Sequence, residues 1–246
     1  MGATTPSIIT PEFIAAVWRL NPQAAAWPGR TAGLSAAVFG QAGSRDLDLP
    51  SPRDPATHVL SVELAPCRLL FEVDGRLVAD RLVMPGEVQV VRAGEAPRAR
   101  VSGNWRIIQF YVPAADLRQL AADLGVPWGA ARELELLDPA FTPDPVLARM
   151  GRRLDRRLAR GDHPGRLELD ELALRLGGRL VRRHSSAPPP RRQRAGLSDA
   201  ERRLAAAFLA DAGDPGLGEL AVLLGRPAVE LPRACAGALG AFPSAA

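Results

Sequence analysis

The 246-residue chain is 47% hydrophobic and 24% charged, with a formal net charge of +4, so it has room for one large or two modest domains of ordinary soluble composition. No apolar run approaches the roughly 20 residues of a membrane helix, and no basic segment followed by an apolar one opens the chain, so the sequence reads as cytoplasmic and not membrane-bound. The two cysteines, Cys67 and Cys235, lie far apart and form neither a disulfide framework nor a zinc-binding spacing.

Residues 1–55 are rich in Ala, Pro and Gly. One short helix is expected between Pro11 and Leu20, where Phe13, Val17 and Leu20 recur at helical spacing. The stretch to Asp54 reads as an irregular lead-in. Short strands follow over about 58–112. His58–Leu64 alternates, and Arg68–Val73 sets Leu69, Phe71 and Val73 on one face. Asp74–Gly75 then signals a two-residue hairpin, because both turn positions need positive φ. Pro85–Gly86, Gly94 and Gly103 mark later turns, and Trp105–Val112 closes the series with Ile108, Phe110 and Val112 on one side. Turns at roughly 8–12-residue spacing between short strands predict a small antiparallel barrel or sandwich.

Helices are expected over about 113–183. Leu117, Leu120 and Leu124 recur at helical spacing before Gly125. Asp144–Pro145 is an N-cap followed by Pro, opening a stripe of Leu147, Met150, Leu154 and Leu158. Leu169, Leu172, Leu176 and Leu180 mark a further helix, which should pack antiparallel to the last. Residues 185–196, SSAPPPRRQRAG, form a stiff linker. Ser198 and Glu201 make a capping box that opens another helix. A short helix, Leu217–Leu224, then ends at Gly225.

The run GLGELAVLLGRPAVELPRACAGALGAFP resembles the first helix-turn-helix of AraC-type transcription regulators. Leu217, Glu219-Leu220-Ala221, Gly225, Arg233-Ala234-Cys235, Gly240 and Pro243 carry the likeness. Leu220 and Leu224 should bury the first helix, and Leu231 and Cys235 the second. The order of strands, helix pair, linker and capped helix upstream also matches such regulators, over roughly 55–243. The resemblance implies an α+β chain: an N-terminal cupin-like antiparallel β-barrel, a helical pair, then a small all-α helix-turn-helix unit. The corresponding domains are 1–184 for sensing and dimerisation, the linker 185–196, and 197–246 as a partial DNA-binding half. It further implies a small-molecule effector, a homodimer and DNA as partners, and no enzyme activity. The alternative is a ligand-binding or dimerisation module that has lost DNA binding and modulates a full-length relative.

The chain departs from the family in carrying one helix-turn-helix rather than two. Pro227 replaces the usual cap, and Pro232 falls inside the recognition helix, where a missing donor costs ~3 kcal/mol or more. Residues 197–246 hold 4 Arg against 6 acids, a poor balance for phosphate neutralisation. Residues 149–194 hold 14 Arg against 5 acids. Within them, the row Arg149, Arg153, Arg156, Arg160 reads as a solvated helix face. The candidate DNA contacts are Arg226, Val229, Glu230 and Arg233, with Arg191, Arg192 and Arg194 assisting from the linker. Val229, Pro232, Arg233 and Ala236 are the positions expected to face a groove. Phe71, Trp105, Phe110 and Tyr111 are the candidate ligand pocket. Of His58, His163 and His184 only His58 lies among the strands, so no metal and no cofactor are expected.

Overall fold

A computed structural model describes residues 9–26, 33–43, 45–124, 136, 140–186, 196–211, 216–232 and 234–235. It begins with helix α1 (Pro11–Trp18), capped by Thr10, and strands β1 (Ala24–Ala26), β2 (Ser35–Gln41) and β3 (Leu47–Pro50). Strands β4 (Thr57–Glu63), β5 (Cys67–Val73), β6 (Arg76–Val83) and β7 (Glu87–Val91) follow. Next come β8 (Pro97–Ser102), β9 (Trp105–Pro113), helix α2 (Ala114–Asp123) and the short β10 (Thr142–Pro143). The rest is helical: α3 (Pro145–Leu158), α4 (Arg166–Arg183), α5 (Asp199–Asp211) and α6 (Leu217–Leu224).

The chain divides into two compact units. One contains the described residues up to Asp116 together with those of 136–163; the other contains residues 117–124 and the described chain from Pro164 onward. The division separates α3 from α4, which the leucine stripes suggest as one helical pair.

In the first unit the strands form two antiparallel sheets, ordered β1-β2-β9-β4-β7-β10 and β3-β8-β5-β6. Their inner faces share one core, with Phe39, Val59 and Tyr111 from the first sheet and Leu49, Leu69, Phe71 and Val101 from the second. The predicted hairpin is present: β5 turns into β6 at Asp74 and Gly75, both at positive φ. Helix α3 lies on the outer face of the larger sheet. A Cβ on Gly151 would stand 3.0 Å from Ile108 Cγ2 and 3.3 Å from Val62, so any larger residue would require these side chains to give way. Asp144 caps that helix as expected, accepting from the Val146 and Leu147 amides at 3.0 and 3.1 Å.

Two expectations need correction here. The stretch before Asp54 is not an irregular lead-in, since it supplies β1, β2 and β3. Strand β2 pairs along its whole length with β9, from Ser35↔Tyr111 to Gln41↔Trp105. Ala36, Ala37, Val38 and Phe39 are all fully buried, so both faces are covered and the strand shows no alternation to read. Pro113 likewise ends β9 rather than opening a helix.

The second unit has its own core of Leu167, Leu197, Ala205, Leu217, Leu220, Leu231, Ala234 and Cys235. The capping box forms reciprocally: Ser198 N–H donates to Glu201 Oε2 at 2.7 Å and Glu201 N–H to Ser198 Oγ at 3.3 Å. Gly225 closes α6 in the left-handed conformation, φ 59°. A 3₁₀ turn over Ala228–Glu230 then continues helically through Leu231 and Pro232. That turn accommodates the interior proline. Pro232 has no N–H for the Ala228 carbonyl, and the Leu231 N–H bonds to it instead.

Candidate functional site

Between the two sheets lies a cavity of about 70 Å³, room for several waters. Side chains alternate across a strand, so each strand offers every second residue to this space. Strand β4 contributes Thr57, Val59, Ser61 and Glu63; β9 contributes Trp105, Ile107, Gln109 and Tyr111; β7 contributes Gln89 and Val91. The opposite wall is Cys67, Leu69 and Phe71 from β5 and Pro97, Ala99 and Val101 from β8. Phe141 closes one side, its ring edge-on to Phe71 at 5.4 Å between centroids.

The register places a polar row across the floor. Ser61 stands opposite Gln109 on one side and Gln89 on the other. Tyr111 Oη donates to Gln109 Oε1 at 2.7 Å, and Gln109 Nε2 donates to Ser61 Oγ at 3.2 Å. Burial pushes the Tyr111 phenol well above its ordinary range, so it stays a donor. Three further buried atoms that belong to lining residues have no hydrogen-bond partner among the described residues: Gln89 Nε2, Trp105 Nε1 and Thr57 Oγ1. Each residue is 3% exposed. An unpaired buried donor costs about 1–3 kcal/mol, so three around one cavity are a standing demand for a partner.

Glu63 lies one pair beyond Ser61 on β4 and is 4% exposed. Burial raises its carboxyl to about 8, the Cys67 hydrogen bond opposes the rise, and the charge of Glu87 adds to it. Cys67 Sγ is 3.8 Å from Glu63 Oε2, and burial with the adjoining carboxyl pushes the thiol up to about 12. Glu87 is itself held by Arg81, whose Nη1 donates to both its oxygens at 3.2 and 3.0 Å while Nη2 donates to the Phe141 carbonyl at 2.9 Å. At the other end Arg92 Nε donates to Glu95 Oε1 at 2.6 Å. Asp54 accepts from the amides of Ile9 and Ala56 at 2.5 and 2.7 Å.

Of the four aromatic residues read as a pocket, Phe71, Trp105 and Tyr111 line the cavity. Phe110 does not. It alternates to the other face of β9 with Ile108 and is fully buried there. The polar members Thr57, Ser61, Glu63, Gln89 and Gln109 escape an aromatic search altogether. Their signal in the sequence is that polar residues such as Thr57, Ser61 and Glu63 share one face of a strand whose other face carries Leu60 and Val62.

The tail site departs from expectation in three positions. Val229 is buried on the 3₁₀ turn rather than groove-facing. Arg226 does not project free: its Nε donates to Glu201 Oε1 at 2.6 Å, with Glu230 Oε2 3.8 Å from Nη1. Glu230 is correspondingly half-buried. Arg191, Arg192, Arg194, Arg233 and Ala236 lie outside the described residues. Arg149, Arg153, Arg156 and Arg160 are exposed along α3 and its end. His58 Nδ1 accepts from the Ala93 amide at 2.9 Å. Among the described residues no three His, Cys, Asp or Glu side chains gather as a metal site. No helix among them is long and apolar enough to cross a membrane.

No protein-family model matches the chain, and no curated protein matches it. Solved structures overlap it in part. A putative ethanolamine utilization protein from Salmonella typhimurium is 12% identical, covers 33% of this chain and 59% of its own, and gives a TM-score of 0.27. The cupin domain of Cnp3 from Schizosaccharomyces pombe is 11% identical over 37% of this chain and 62% of its own, TM-score 0.30. A cupin superfamily protein from Desulfitobacterium hafniense is 13% identical over 34% and 71%, TM-score 0.28. The chain thus spans about three fifths of the first two of these. The site described above stands on its own geometry.

Proposed function

We propose that the first unit is a small-molecule binding module and that this chain senses a ligand rather than turning it over. The observation that carries the reading is the cavity between the sheets, apolar on its walls yet holding the unpartnered polar atoms of Gln89, Trp105 and Thr57. A structure that bears such a cost gains stability when a ligand discharges it. Thermal unfolding of the full chain against a panel of small organic fragments tests it. A fragment present at a hundred times its Kd should stabilise the unit by about 2.7 kcal/mol. Ala99→Phe, which puts a ring into the cavity, should abolish that gain. Fragments that bind equally well to Ala99→Phe would sink the proposal.

A second, finer reading is that the chain is an AraC-type regulator, binding DNA as a homodimer with the module as its sensor. It is favoured by α6, the left-handed Gly225 and the helical segment from Ala228, which share one apolar core in the order a helix-turn-helix requires. The ties of Arg226 to Glu201 and Glu230 count against strong DNA contacts from this surface. Anisotropy of a labelled duplex at low salt decides it: no association there removes the DNA-binding reading and leaves the ligand module standing.

A further inference from the structure

Resting on the ligand-binding reading above, we infer that the cavity takes a compact, uncharged, largely apolar molecule bearing a hydrogen-bond acceptor oxygen, such as a ketone, and neither an amine nor an acid. The first argument is the polarity of what stands unpartnered. Trp105 Nε1 can only donate, and Gln89 Nε2 is an amide donor farther along the lining of the same cavity. Both call for acceptors. An ammonium ion, which has only donors, satisfies neither.

The second argument is charge. Arg92 is the lining arginine, and it is engaged with Glu95. A carboxylate buried here would therefore lack a counter-charge of its own, which is expensive in an apolar enclosure. Of the other lining acids, Asp54 already accepts from the Ile9 and Ala56 amides, and Glu63 could serve an amine only by giving up its proton. The groups that face it oppose this: Cys67 from β5, Glu87 from β7 with Arg81 of β6 already bound to that carboxylate, and the apolar Ile107 opposite on β9. With its carboxyl raised to about 8, Glu63 is protonated at neutral pH and acts as a further donor. The third argument is the walls. Val59, Leu69, Phe71, Val101 and Ile107 offer hydrocarbon on every side of the polar row, which suits a small ring or branched chain.

Four probes with one ring isolate the chemistry: cyclopentanone, cyclopentane, cyclopentylamine and cyclopentanecarboxylate, titrated into the full chain by calorimetry at pH 6 and pH 9. Cyclopentanone should bind tightest at pH 6. At pH 9 the ionised carboxylate of Glu63 removes a donor and adds a charge, and only about a tenth of the protein keeps the competent form, so affinity should fall about tenfold. Glu63→Gln should erase that step, because its amide donates at either pH. Trp105→Phe should weaken cyclopentanone about fivefold, one net hydrogen bond, and leave cyclopentane unchanged. Tightest binding by the amine, strengthening from pH 6 to 9, overturns the inference, as does tightest binding by the carboxylate or parity between cyclopentanone and cyclopentane. Each of these results leaves the binding module intact. Silence from all four rings overturns both proposals.

Discussion

The thiol of Cys67 shows how one buried carboxyl governs its neighbour. A cysteine reacts as its thiolate, and the ordinary side chain near 8.5 is partly ionised at pH 8. Burial, then the charge and hydrogen bond of Glu63, push Cys67 up to about 12. Its thiolate fraction at pH 8 is on the order of one in ten thousand. Alkylation of the native protein by iodoacetamide at pH 8 should therefore leave Cys67 unmodified while a free thiol standard is consumed, at a rate roughly a thousandfold lower. Cys235, buried in the second unit, is also raised by burial and should be spared too. Both should label stoichiometrically in denaturant. Rapid native labelling of Cys67, mapped by peptide mass, would mean that the cavity floor holds a thiolate and that the pairing with a protonated Glu63 is wrong.

Strands β2 and β9 set the side of the cavity that carries Trp105, and their approach is fixed by one glycine. A Cβ on Gly40 would meet the Trp105 carbonyl oxygen at 2.8 Å and Arg106 Cα at 3.2 Å, both backbone atoms that cannot swing away. Gly40→Ala should cost about 1–3 kcal/mol by overpacking, read as a lower urea midpoint with an unchanged slope. Wild-type stability in Gly40→Ala would show that the two strands can part without loss. This pair also marks where the sequence is legible. Strand β9 reads directly, since Trp105–Val112 follows the turn at Gly103 and sets Ile108, Phe110 and Val112 on one face. Strand β2 does not, because SAAVFGQ is buried on both faces and low in β-formers, and its pairing is settled by a distant partner, from Ser35 with Tyr111 to Gln41 with Trp105. Helices α3 to α6 follow from their caps and leucine stripes, which are local features. The cavity is legible only in its aromatic half. Phe110 misleads because hydrophobicity alone does not say which face of a strand looks inward, whereas Thr57, Ser61 and Glu63 on a fully buried strand name that face by their polarity.

Two units with separate cores titrate by opposite logic, and this makes them distinguishable in one molecule. In the first, Glu63 is raised from 4.5 to about 8. The folded unit keeps a proton that the unfolded chain sheds, so this contribution is fullest below 4.5 and disappears as pH climbs through about 8, a loss of a few kcal/mol. In the second, the Glu201 carboxyl is lowered to about 2 by the Ser198 amide, then by Arg226 and the Ser198 hydroxyl. Here the unfolded chain takes up a proton first, so the contribution is present above 4.5 and lost as pH falls towards 2. The lowered carboxyls of Asp48 and Asp162 in the first unit are solvent-facing ion pairs with Arg98 and Arg157, which add little to stability. Calorimetric unfolding should accordingly resolve two transitions. Raising the pH from 5 to 8 should lower the one belonging to the sheets and leave the helical one in place; going from 5 to 2.5 should lower the helical one. Glu63→Gln should flatten the first response alone and Glu201→Gln the second alone. A single transition that answers to both substitutions would mean that the two cores melt as one, and that a ligand in the cavity stabilises the helical unit as well.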